Sequence, residues 1–371
     1  MTMNPTEYPL KREERVLFEL RALYQKYGYA QYKMGKFEEY DLYVRNKDFL
    51  VSDGIITFTD TDGRLMALKP DVTLSIIRNT RDVEGLVQKV CYAENVYRIS
   101  GSTRQFKEIM QTGLECIGDV DLYCLCEVIR LAAESLDAID PDNVLELSHM
   151  GVVSALVNQL GLDPDERDQV LRCVGEKNAD GIRKLCPGRD IEGVLKLITA
   201  HGAPDRVIEA MRPWCAQGLA KAALDELERV TGILGQLDVR DIQIDFSIVN
   251  DMNYYNGIVF RGYIRGIPSG VLSGGQYDKL MQRMGRESRA VGFAIYMDLL
   301  ERLDGGTRPY DVDAVVLYDE GVDAARLSQT IRRFAQSGRS VVAQKAVPDK
   351  LKYRQLLRFT EGGLEILESH D

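Results

Sequence analysis

The sequence predicts an α+β protein: an antiparallel sheet flanked by helices, with a helical insertion and a small C-terminal α/β domain. Three observations carry this expectation. Val87 to Tyr97 and Ile109 to Ile117 read as long strands of one antiparallel sheet. Residues from about 152 to 237 change to helical spacing, punctuated by glycine and proline. Beyond Leu303 a strand–helix–strand pattern begins anew.

In chain order, residues 11–27 repeat apolar side chains at Val16, Leu17, Leu20, Leu23, Tyr24 and Tyr27. That is one face of an amphipathic helix, stopped by Gly28. Residues 55–58 and 65–68 read as paired strands around Asp62-Gly63, a hairpin signal. After Pro70 the run from Val72 to Arg78 enters a helix. In the helical block, Asp163-Pro164 pairs an N-cap with proline at the first helical position. Leu224, Leu227, Thr231 and Leu234 keep helical spacing. Residues 304–307, Asp-Gly-Gly-Thr, form a polar link between a first domain, 1–304, and a second, 305–371. In the second, 314–318 and 340–343 read as strands around a helix over 322–336, with Gly338 as its stop.

The chain has 371 residues, enough for two cores, and its 45% hydrophobic and 28% charged residues are those of a globular protein. A net charge of −10 argues against nucleic acid, whose partners need a basic footprint. No run of about 18 apolar residues is present to span a membrane, and the first fifteen residues lack a signal-peptide core. The seven cysteines have no C-x-x-C spacing and the three histidines no ligand pattern. Reduced thiols in a cytoplasm, no metal and no cofactor are the expectation.

Five stretches carry the functional signal, in this order: Lys69-Pro70-Asp71-Val72-Thr73; Asn95-Val96-Tyr97-Arg98; Gln111-Thr112-Gly113-Leu114-Glu115; Asn250 to Tyr255 with the Gly274-Gly275 turn; and Ala290 to Leu303. Together they resemble the class II histidyl-tRNA synthetase catalytic domain over about residues 10–303. The synthetase's Arg-Gly-Leu-Asp-Tyr-Tyr becomes Asn250-Asp251-Met252-Asn253-Tyr254-Tyr255, and its Glu-Arg becomes Asp298-Leu299. Ser100 stands where the motif 2 glutamate would be. The pattern is similar to the ATP phosphoribosyltransferase regulatory subunits, paralogues of the synthetase. That resemblance implies histidine binding at Asp71, Thr73, Gln111, Glu115 and Tyr255, with Arg98 as a residual phosphate contact. It also implies a self-dimer within a hetero-octamer with a short-form catalytic subunit, feedback control by L-histidine, and no tRNA partner. Residues 305–371 then resemble a truncated anticodon-binding domain.

The chemistry of the residues agrees with a free amino acid as ligand. A buried ammonium needs a carboxylate such as Asp71, supported by Thr73. A ring N–H needs an acceptor such as Glu115, and Gln111, four residues earlier on a strand, shares its face. Tyr255 can serve the second ring nitrogen. Adenylation asks for fixed positive charge on the α-phosphate, which neither Asn250 nor Leu299 supplies. Each residue taken singly also has a structural reading: Asp71 as a helix cap, Glu115 as a solvent-facing strand residue, Tyr254-Tyr255 as a strand pair. Two other functions stay open on the residues alone, a divergent synthetase or adenylating enzyme and a tRNA-like binding module. The acidic ending around Glu365 and Glu368 gives the last little support.

Overall fold

The computed structural model describes residues 11–46, 54–100, 103–249, 254–303 and 310–370. They fall into two compact units, Met1–Leu303 and Asp304–Asp371.

The first unit is built on a nine-stranded sheet. Its order is Ala30–Gln31, Val87–Ile99, Phe106–Gly118, Arg289–Tyr296, Leu272–Gln276, Ile258–Ile264, Asn143–His149, Ile242–Asp245, His201–Gly202. The six strands from Val87–Ile99 through Asn143–His149 pair antiparallel, as the sequence predicts. The sheet as a whole is mixed. Ala30–Gln31 pairs parallel with Val87–Ile99, and Ile242–Asp245 pairs parallel with Asn143–His149. The second pair is joined through the helical block, a crossover long enough for parallel strands.

Helices cover one face. Arg12–Lys26 buries Val16, Leu20 and Tyr24 there, with Glu13 and Glu14 in its first turn and Lys26 in its last, and Gly28 turns the chain at φ +80°. Leu122–Ile139 lies beside it, buried from Cys124 to Leu136 on nearly every side. In the helical block, Asp163 and Glu166 form a capping box on Pro164–Gly175, and Gly218–Gln236 buries Leu224, Leu227, Thr231 and Leu234. These residues share one core with Leu114, Cys116 and Phe293 of the sheet. Strand residues alternate faces, so Leu114 and Cys116 enter this core while Gln111, Gly113 and Glu115 point to the other side.

That other side is roofed by a three-stranded sheet, Phe37–Glu39, Leu65–Leu68 and Thr57–Thr59, and by the helix Thr73–Asn79. The hairpin around Asp62-Gly63 pairs Thr57 with Ala67, and Gly63 takes φ +81°. The Gly274-Gly275 turn is corrected. Both residues lie inside the strand Leu272–Gln276. A Cβ on Gly274 would sit 2.5 Å from the Phe260 ring and 2.6 Å from Gly292 O. Glycine is present for close approach, not for turning.

In the second unit, Val312–Leu317, the helix Ala324–Gln336 and Val341–Gln344 form the β-α-β unit, capped by Asp323. Two further strands extend it, Tyr353–Thr360 parallel to the first and Gly363–Ser369 antiparallel beside it. Ala314, Val316, Leu327, Phe334, Leu357 and Phe359 are its core.

Candidate functional site

The roof meets the sheet at a cleft of about 520 Å³, counted to its open mouth. Asp71, Thr73, Arg98, Gln111, Glu115 and Tyr255 all line it, together with Tyr92, Tyr254, Tyr277, Ser273 and Tyr296. Pro70, unable to donate to a strand ladder, ends the Leu65–Leu68 run, and the chain turns into the helix Thr73–Asn79. Asp71 accepts Leu74 N–H at 2.9 Å, so it caps the helix and faces the cleft at once. Burial pushes its carboxyl up, while Leu74 N–H and the nearby Arg98 pull it down.

Glu115 is the chemical centre. It is 2% exposed, which rules out the solvent-facing reading. Thr73 Oγ1 donates to Oε1 at 2.8 Å and Tyr277 OH donates to Oε2 at 2.6 Å. Burial pushes Glu115 up to about 8; the Tyr277 and Thr73 hydrogen bonds oppose this, and the Asp71 charge adds to it. Near neutral pH the carboxyl of the empty cleft is therefore largely protonated, and its ionisation needs a cation in front of it.

A stability prediction follows. The folded state holds this proton up to about pH 8, whereas the unfolded chain releases it near its usual value of 4.5. Stability from this group is full below pH 4.5 and is lost as pH rises through about 8. Urea unfolding at pH 6 and pH 9 is expected to show the decline, and Glu115→Gln to remove that component. An unchanged pH slope in the variant would mean that Glu115 is not held neutral.

The other predicted residues are placed as follows. Gln111 is buried four residues before Glu115 on the same strand. Tyr255 is half-buried and packs edge-on against Tyr254, ring centroids 4.7 Å apart. Arg98 Nε donates to Pro70 O at 3.0 Å, which leaves the rest of the guanidinium to the cleft it lines. Leu299 packs its side chain against the core from the 3-10 helix Met297–Leu303 and brings no charge. Asn250 lies outside the described residues.

Three participants carry a fainter sequence signal. Tyr277, two residues beyond Gly275, is Glu115's second donor. Gly292 stands directly opposite Glu115 in register, and a Cβ there would fall 1.8 Å from Oε2. A glycine inside a strand is the trace such a close approach leaves in sequence. Lys69, with no side-chain exposure, donates to Glu94 Oε2 at 3.0 Å beneath the Asp71 segment.

An acid with two hydroxyl donors behind it, a second buried carboxyl, an amide and a half-engaged guanidinium converge within one cleft. Such a set can hold a small zwitterion bearing a proton-exchanging ring.

Residues 4–300 match the family model described as histidyl-tRNA synthetase. A relative from Clostridium kluyveri, an ATP phosphoribosyltransferase regulatory subunit, is 30% identical over 301 residues, covering 78% of this chain and 77% of its own. The solved ATP phosphoribosyltransferase regulatory subunit/histidyl-tRNA synthetase from Bacillus halodurans superposes with a TM-score of 0.76 at 22% identity, covering 96% of this chain and 98% of that one. A chain of the ATP phosphoribosyl transferase complex from Thermotoga maritima gives 0.61 at 22% identity, covering 77% and 97%.

Proposed function

This chain belongs to the histidyl-tRNA synthetase family and, within it, to the ATP phosphoribosyltransferase regulatory subunits, and from that premise we propose that it senses histidine for a catalytic partner. Its place is the first step of histidine biosynthesis, as regulatory subunit to a short-form phosphoribosyltransferase. L-Histidine occupies the cleft: its ammonium faces Asp71, its ring N–H faces Glu115, and Gln111 and Tyr255 complete the fit. Arg98 holds the carboxylate side and is the one position where a phosphate contact persists.

The observation that carries this reading is Glu115, buried, proton-holding and backed by two hydroxyl donors. An imidazole is the amino-acid side chain able to take that proton near neutral pH, because its own pKa is about 6.5. A charge-assisted contact contributes roughly 1.5–3 kcal/mol, so three or four sustain micromolar binding.

The chain is itself non-catalytic in this reading. Attack on the α-phosphate of ATP needs oriented cations, and losing one such donor typically costs about 10²–10³ in rate. Leu299 supplies none, and Asn250 has no charge to give. Control is then a coupling free energy between chains, and about 1–3 kcal/mol suffices for 5–150-fold regulation. The chain works in the cytoplasm, as a self-dimer within a hetero-octamer and without tRNA. No helix among the described residues is long and apolar enough to cross a membrane, which agrees. Residues 305–371 are a truncated anticodon-binding-like domain used for packing or contact.

The test is paired. Titration calorimetry is expected to show micromolar L-histidine binding, and histidine-dependent ATP–pyrophosphate exchange to stay at background. Measurable exchange would turn the reading to the adenylating enzyme; no binding at millimolar histidine would remove the sensor.

A further inference from the structure

We propose that Arg286 is a positioning residue for the cleft, clasping together the two elements that supply Glu115's hydroxyl donors. The ligand meaning of this inference rests on the histidine reading; its mechanical core does not.

Thr73 opens a helix of seven residues, Thr73–Asn79. A helix that short does not hold itself, and its last carbonyls have no partners within it. Arg286 supplies them. Its Nη1 donates to Ile77 O and to Thr80 O, both at 2.9 Å. Its Nε donates to Asp82 Oδ1 at 2.7 Å, two residues beyond the helix end. Asp82 is held at about 2, with the Arg286 hydrogen bond as the largest cause. It also accepts Glu287 N–H at 3.2 Å and the Ser288 hydroxyl. The Arg286 side chain is 14% exposed, so this ion pair is much less screened than one on the open surface.

What the clasp joins gives it meaning. Arg286 lies between the helix Asp278–Arg283, which follows Tyr277, and the strand Arg289–Tyr296, which carries Gly292. Thr73 and Tyr277 are the donors to the two oxygens of Glu115. One sits on the element that Arg286 grips, the other on the segment from which Arg286 reaches. Their spacing across the carboxylate depends on the clasp, and hydrogen bonds of 2.6–2.8 Å tolerate little drift.

The experiment uses the full chain, with L-histidine calorimetry and amide hydrogen exchange. Arg286→Met is expected to weaken histidine about tenfold and to speed exchange of the residue 73–79 amides about tenfold, leaving the six central strands protected. Arg286→Lys is expected to behave nearly as badly, because one ammonium cannot span two carbonyls and a carboxylate as the planar fork does. In a Thr73→Val background, Arg286→Met is expected to add no more than about a twofold loss, since both act on the same hydrogen bond. A merely structural role would leave the affinity of the folded protein unchanged, and full additivity with Thr73→Val or rescue by lysine would equally overturn the proposal. If Arg286→Met does not fold, Asp82→Asn, at an exposed carboxylate, is expected to show the same exchange pattern; normal protection there would overturn it. If the wild type binds no histidine, the sensor reading falls, and the exchange data still decide the clasp.

Discussion

Replacing Glu115 by glutamine is expected to weaken histidine binding roughly 10- to 100-fold while leaving the fold intact. The empty cleft already holds Glu115 as a neutral acid near pH 7, because burial has moved it to about 8. Glutamine imitates that neutral form in size and polarity, so the ligand-free protein changes little. What glutamine cannot do is pass a proton to an imidazole and remain as a carboxylate facing a cation. Since ring and acid titrate near 6.5 and 8, one proton is shared between them across that interval. Binding there is expected to exchange no net proton with solvent. Above pH 8 the ion pair must take up a proton, below pH 6.5 it must release one, and affinity falls on both sides. Calorimetry in buffers of different ionisation enthalpy measures this directly. A flat affinity profile from pH 5 to 9 in the wild type would rule out the proton-sharing pair.

Gly292→Val is expected to abolish histidine binding and to destabilise the first unit by roughly 3 kcal/mol or more, at the upper end of overpacking costs. The added Cβ would lie 1.8 Å from Glu115 Oε2 and 2.5 Å from Leu114 O. Relief requires parting the strand Arg289–Tyr296 from Phe106–Gly118 at the point where the carboxylate is held. Gly232→Ala is the contrast. It lies in the helix Gly218–Gln236 with no atom within 4 Å of its new Cβ, and is expected to stabilise by about 0.5–1 kcal/mol without touching affinity. Urea unfolding and histidine titration on both variants separate the two cases. Wild-type affinity in Gly292→Val would mean that the close approach is not needed.

The residues show where the sequence is legible. The helix Arg12–Lys26 declares itself because one face is wet, so its apolar positions repeat. Leu122–Ile139 carries no such stripe: Cys124 through Leu136 are buried on nearly all sides, and uniform burial erases periodicity. Strands 87–99 and 106–118 are long enough to read, whereas two-residue partners such as Ala30–Gln31 carry no pattern, so the parallel edges of the sheet stay hidden. Gly274-Gly275 reads as a turn because locally it looks like one; only Phe260 and Gly292, brought in by pairing, make it strand.

The cleft follows the same rule. Asp71, Thr73, Gln111, Glu115 and Tyr255 are scattered over 185 positions, and their order along the chain is what draws attention to them. The structure brings them to one cleft. Tyr277 needs the fold to be seen, because its partner Glu115 is 162 residues away. Arg286 needs it too, since its partners are carbonyls, which leave no mark in sequence.

The most direct measurement is phosphoribosyl-ATP formation by a short-form catalytic chain, with and without this protein, across a histidine titration. The account predicts that the protein raises the rate, that histidine lowers it again, and that Glu115→Gln shifts the inhibition midpoint upward by the same factor as its binding constant. Inhibition with an unchanged midpoint in Glu115→Gln would place the sensor elsewhere. No activation and no histidine response with the wild type would contradict the regulatory account itself.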